Sequence, residues 1–125
     1  MVRIFTVLIL IAIQFSGCKE SKIEEYKKDI LGVWILENDS ETKIEFLEDG
    51  TFNNYYGEEL RSTENYVITG SCNGENQADG TFILKRYSSI DDYFCSYIEG
   101  LNFNGSNMLS LMTFNQGKII VFIRE

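Results

Sequence analysis

The chain has 125 residues, 11 of them basic and 19 acidic, a formal charge of −8, and neither histidine nor proline. That balance lacks the basic footprint that nucleic acid or a polybasic membrane patch needs, and its scattered acidic pairs read as a solvated surface. Without histidine the chain has no side chain of the type that most often serves as general base near neutral pH or as metal ligand; without proline, its turns fall to glycine, asparagine and aspartate.

At the N-terminus Arg3 precedes an apolar run from Ile4 to Ile13, broken only by Thr6, and the small residues Ser16 and Gly17 lead to Cys18. Basic, apolar, then small is the order of a secretory signal. The run is shorter than the roughly 20 apolar residues that span a bilayer. Phe15-Ser16-Gly17-Cys18 resembles the lipobox of bacterial lipoproteins, with Phe15 where leucine is more usual. The resemblance implies a signal peptide at 1–17, cleavage before Cys18, a diacylglyceryl group on its thiol and an acyl chain such as palmitate on the new amine. Several chains hold a membrane far better than one. A plain secretory signal that leaves Cys18 free is the alternative. Lys19 and Glu20, in place of aspartate, follow the cysteine, which in such lipoproteins implies delivery to the outer membrane.

Loss of residues 1–17, and with them Arg3, leaves 108 residues and a charge of −9, ten basic side chains against nineteen acidic. That is enough for one domain. We expect a lipidated cysteine and tether at 18–24 and the domain at 25–125. Ile23, Tyr26, Lys27, Ile30 and Leu31 fall at helical spacing, which predicts one or two helical turns ended by Gly32.

From there the pattern becomes short apolar segments between polar turns. Strands are expected at 33–37, 43–47, 51–56, 65–70, 81–87, 94–101, 108–114 and 119–124. The connectors Glu48-Asp49-Gly50, residues 102–107 and Asn115-Gln116-Gly117-Lys118 carry tight-hairpin signals. The expected fold is all-β, an eight-stranded antiparallel up-and-down barrel with a short N-terminal helix. Such a barrel holds packed side chains or one small ligand. A two-sheet sandwich is the structural rival. Alternation puts Ile44 with Phe46, Trp34 with Leu36, Phe52 with Tyr56, and Phe82 with Leu84. Residues 119–124 are apolar on both faces, and the helix is expected to cover the outer one.

Leu31-Gly32-Val33-Trp34, then Phe46-Leu47-Glu48-Asp49-Gly50-Thr51-Phe52, and the closing Ile120-Val121-Phe122-Ile123-Arg124 stand in order behind the lipobox. This set resembles the lipocalin-like lipoproteins of Gram-negative bacteria, across essentially all of the mature chain. The resemblance implies a calyx with Gly32 and Trp34 at its closed end and Arg124 lying over the indole, so that these three form the base of the barrel rather than a ligand contact.

Cys72 and Cys95 remain as an even pair in an exported chain, which favours a disulfide; two buried reduced thiols are the alternative. A metal pair lacks further ligands. No histidine is present to activate a serine, and the adjacent carboxylates read as solvated turns, so a non-enzymatic protein without a cofactor is expected. The expected function is binding of a small apolar or amphipathic ligand in the barrel, with Tyr55, Tyr66, Tyr87 and Tyr97 as candidate lining residues. The rival is a tethered module that contacts another envelope protein, and under either reading a monomer is expected.

Overall fold

The computed structural model describes residues 18–72, 74–77, 81–114 and 116–125, with side chains from Lys22 onward. The expected signal segment 1–17 and the Cys18 side chain lie outside the described residues. Helix α1 spans Cys18–Asp29, so the segment expected as a tether is helical backbone and the helix has twelve residues rather than one or two turns. Ile23, Tyr26 and Ile30 recur on one side of it. Ile30 is fully buried, with Ile23 and Tyr26 packed against the same core. Tyr26 meets Phe82 edge-on at 5.0 Å. No helix among the described residues is long and apolar enough to cross a membrane.

Among the described residues ten strands follow: β1 Gly32–Leu36, β2 Asp39–Phe46, β3 Thr51–Tyr56, β4 Glu59–Thr69, β5 Ser71–Cys72, β6 Glu75–Asn76, β7 Ile83–Tyr87, β8 Tyr93–Leu101, β9 Met108–Thr113 and β10 Ile119–Arg124. Eight form a closed antiparallel barrel in the order β1-β10-β9-β8-β7-β4-β3-β2, while β5 and β6 form a separate hairpin. Closure leaves no free sheet edge. It is made by β1 on β10, with Trp34 opposite Arg124 and Leu36 opposite Phe122. The architecture is the expected one and is consistent with a lipocalin-like fold.

Two strands are longer than their apolar pattern. β2 begins at Asp39 and β4 at Glu59. Apart from Leu60 their extra residues are polar because they form the wet rim. Backbone pairing, with side-chain bonds such as Asn54 Nδ2 to Ser62 Oγ at 2.8 Å and Thr63 Oγ1 to Asn53 Oδ1 at 2.8 Å, holds them in the sheet. At the opposite end the β2–β3 turn is tight. Gly50 has φ +90°, and the Asp49 carboxylate accepts the Thr51 N–H at 2.9 Å; the Thr51 hydroxyl first, and then this N–H, lower the Asp49 pKa.

The inward rows make one core. Trp34, Phe46, Phe52, Leu84 and Leu109 are essentially inaccessible, and Phe46 meets both Phe52 and Tyr66 edge-on at 5.0 Å. The position expected for the helix is corrected. It packs at the closed end, beside Leu31, residues 48–50 and Tyr66. The outer row of β10 is uncovered, with Ile119 59% and Ile123 42% exposed. A short helix with apolar residues on one side buries more of itself by capping the end of the barrel that it closes than along a flat wall.

Candidate functional site

At the closed end Gly32 has φ +114°, and a Cβ there would stand 3.4 Å from Arg124 Nη1. Glycine therefore serves here by its backbone conformation, while a Cβ would only touch the guanidinium at ordinary contact distance. Arg124 lies over the Trp34 ring at 4.2 Å from its centroid. It donates from Nη1 to the Leu31 carbonyl at 2.7 Å and from Nη2 to the Asp29 carbonyl. Trp34 Nε1 donates to the Ile30 carbonyl at 2.8 Å. The carbonyls at the end of α1 are thus held by the barrel floor, and this end offers structure, not chemistry.

The four candidate tyrosines do not share a cavity. Tyr66 faces inward, opposite Arg86 across β4–β7. It is occupied in packing: its hydroxyl donates to the Leu47 carbonyl at 2.9 Å, and burial raises its pKa. Tyr55, Tyr87 and Tyr97 stand on the outer face by register. Tyr55 donates to Glu45 Oε1 at 3.0 Å, and that bond raises its pKa. The expected tyrosine-lined interior is corrected accordingly.

Cys72 and Cys95 form a disulfide. It lies outside the β7–β8 wall in a small second cluster with Ile83, flanked by Tyr93, Tyr97 and Phe114. Tyr97 stacks on Phe114 at 4.2 Å between centroids. The pair staples the β5–β6 hairpin to the barrel wall.

The open end is different. A cleft of about 640 Å³ lies between residues 62–64 of β4 and the β7–β8 connection, lined by Ser62, Glu64, Arg86, Asp92 and Phe94 among others. Glu64 and Arg86 both occupy inward positions, opposite Phe52 and Tyr66. Arg86 Nη2 donates to Glu64 Oε1 at 3.0 Å, and Asn54 Nδ2 donates to the same oxygen at 3.3 Å. The guanidinium lies over Phe52 at 4.4 Å and beside Phe94 at 5.7 Å. Among the described residues, Arg86 Nε is the one buried side-chain nitrogen or oxygen with no hydrogen-bond partner. Leaving such a donor without a hydrogen-bond partner costs about 1–3 kcal/mol; it is shielded from the cleft, with the guanidinium laid on the Phe52 ring. Phe94 is 47% exposed at the cleft and also walls a recess of about 130 Å³ with Thr113, Phe114 and Gln116.

Glu64 and Arg86 were not among the sequence candidates. Their signal was present: each is a charged residue in an otherwise apolar alternating row, Glu64-Tyr66-Ile68 and Leu84-Arg86. A groove of about 390 Å³ beside α1, lined by Lys27, Lys28, Glu48 and Asp49, has no buried unpaired polar atom, and Lys27 is already paired with Glu24. Among the described residues no group of three or more histidine, cysteine or acidic side chains could hold a metal ion. Comparison of the chain with family models, curated proteins and solved structures found no match. The functional reading therefore rests on the barrel and its cleft.

Proposed function

We propose that this chain is a lipid-anchored protein of the cell envelope, carried to the outer membrane, whose barrel binds a small amphipathic ligand at its open end without catalysing a reaction. The anchor follows from Phe15-Ser16-Gly17-Cys18 behind an apolar segment. The binding reading is carried by one observation, the cleft in which the inward, partly accessible Arg86–Glu64 pair stands beside a half-exposed Phe94. The lower barrel is filled by Trp34, Phe46, Phe52, Leu84 and Leu109, so a ligand sits at the rim rather than in a deep apolar calyx. Its polar part meets charged side chains and its apolar part meets a ring, as small-molecule sites require.

A second reading, an interaction module for another envelope protein, has its own support. Ile119, Ile123 and Met108 are exposed on the outer face of β9 and β10, and Ile123 pairs with Met108 on one side and Ile35 on the other. Native mass spectrometry of the protein taken gently from its own envelope separates the two. A small-molecule adduct that survives transfer and is lost from an Arg86→Gln variant supports the cleft reading. The bare lipidated mass, or a protein partner retained by that variant, overturns it.

A further inference from the structure

We infer that the rim cleft recognises a compact zwitterion, the ammonium and carboxylate of an α-amino acid with an apolar side group. The inference rests on the ligand reading above and narrows it to a class.

The cleft offers opposite charges side by side. Glu64 Oε1 already takes donors from Arg86 and Asn54, and Arg86 is engaged through Nη2 alone. The remaining carboxylate oxygen of Glu64 and the remaining donors of Arg86 are the groups left for a ligand. A ligand bearing only negative charge meets Glu64 and Asp92 in the same cleft and the −8 charge of the chain, which disfavour it. One bearing only positive charge meets Arg86 and leaves its spare donors unanswered. A ligand with both charges answers both groups through charge-assisted hydrogen bonds.

The geometry also limits the separation of those charges. Glu64 and Arg86 hold each other at 3.0 Å, so their uncommitted sides are close neighbours. The ligand must carry its two charges equally close, as an ammonium and carboxylate on one carbon do. Phe94, half exposed between the cleft and the smaller recess, supplies a face for an apolar side group. An ammonium brought to the Glu64–Asp92 side also gains from an adjacent ring.

The test is calorimetric titration of the lipidated protein in mild non-ionic detergent with three probes of one shape. These are L-phenylalanine, 3-phenylpropanoate, which lacks the ammonium, and 2-phenylethylamine, which lacks the carboxylate. L-phenylalanine is expected to bind about tenfold or more tighter than either analogue. Glu64→Gln and Asp92→Asn should each weaken it several-fold, and Phe94→Ala likewise. Asp92 and Phe94 are exposed. The Asp92 carboxylate accepts the Ser88 hydroxyl at 2.6 Å, a bond the amide oxygen of Asp92→Asn can still accept, so these two variants keep the fold and their result stands even if Glu64→Gln unfolds. An analogue binding as tightly as L-phenylalanine, or unchanged affinity in Asp92→Asn and Phe94→Ala, overturns the class. If none of the three probes binds while native mass spectrometry shows an adduct lost with Arg86→Gln, the class falls and the cleft reading stands. If neither probe nor adduct is found, both fall.

Discussion

Arg124 lies over Trp34, its guanidinium carbon 4.2 Å from the ring centroid, and the two residues are directly paired across the strands that close the barrel. The contact joins first strand to last and, through the Leu31 and Asp29 carbonyls, both to the helix. Trp34→Ala is expected to cost ~3–5 kcal/mol, as large aromatic core truncations do. Arg124→Ala should cost less, with a coupling between the two of ~0.5–3 kcal/mol. A double-mutant cycle by urea unfolding, followed by circular dichroism because the single tryptophan is lost, measures it. Strict additivity would refute the contact.

Gly32→Ala places a side chain at φ +114° and 3.4 Å from Arg124 Nη1. The expected loss is ~1–3 kcal/mol, the range for a residue forced into a sparsely populated backbone region. A midpoint within error of the parent would show that the floor relaxes around it. Gly74, which has no atom within 4 Å of its would-be Cβ but a φ of +83°, separates the two causes. Gly74→Ala carries the backbone cost alone.

Reduction of the Cys72–Cys95 bridge, which spans 23 positions, should cost roughly 3 kcal/mol on the chain-entropy estimate. Intact-mass measurement after alkylation should find both residues unmodified until reductant is added. Two alkylated thiols in freshly isolated protein would contradict the pairing.

Tyr66 sets an alkaline limit. Its phenol donates to the Leu47 carbonyl, and burial first, then the Asp49 charge, raise its pKa above the ordinary value. A group whose folded pKa is raised contributes stability that is full below the unfolded value, about 10. That stability is lost as pH rises through the folded value. Tyr66→Phe should cost about 1 kcal/mol near neutrality, and the gap from the parent should narrow above about pH 10. Tyr55 is present in both proteins and cancels. A gap that stays constant into that range would refute the assignment.

Cys18→Ser tests the anchor. The variant should lose metabolic lipid labelling and move from the detergent phase to the aqueous phase, or stall as the uncleaved precursor. Unchanged partitioning would sink the lipoprotein reading.

Alternation of Ile44 with Phe46 and of Phe52 with Tyr56, and turn residues such as Asp49-Gly50, were legible along the chain, whereas Arg124 over Trp34 followed only from the family resemblance. Alternation and turns depend on neighbours a few positions apart, where strand geometry and turn chemistry act locally. Alternation separates two faces of a strand but does not say which is inside. In β7 the outward row holds Ile83, fully buried, because the hairpin bound by Cys72 and Cys95 covers it, while the inward row ends in Arg86. Each row of β7 carries apolar residues and one charge, Leu84 with Arg86 and Ile83 with Lys85, so hydropathy does not rank them, and Tyr87 and Tyr97 as ligand candidates could not be tested by it. Register shifts near Leu36, Tyr55 and Gly100 further break the count along a strand. Pairing of β4 with β7, with Tyr66 opposite Arg86, brings Glu64 diagonally beside Arg86 on one face, 22 positions away along the chain. That register is set by long-range strand pairing, and no local pattern links a glutamate in a polar rim strand to an arginine beyond a disulfide-bound loop.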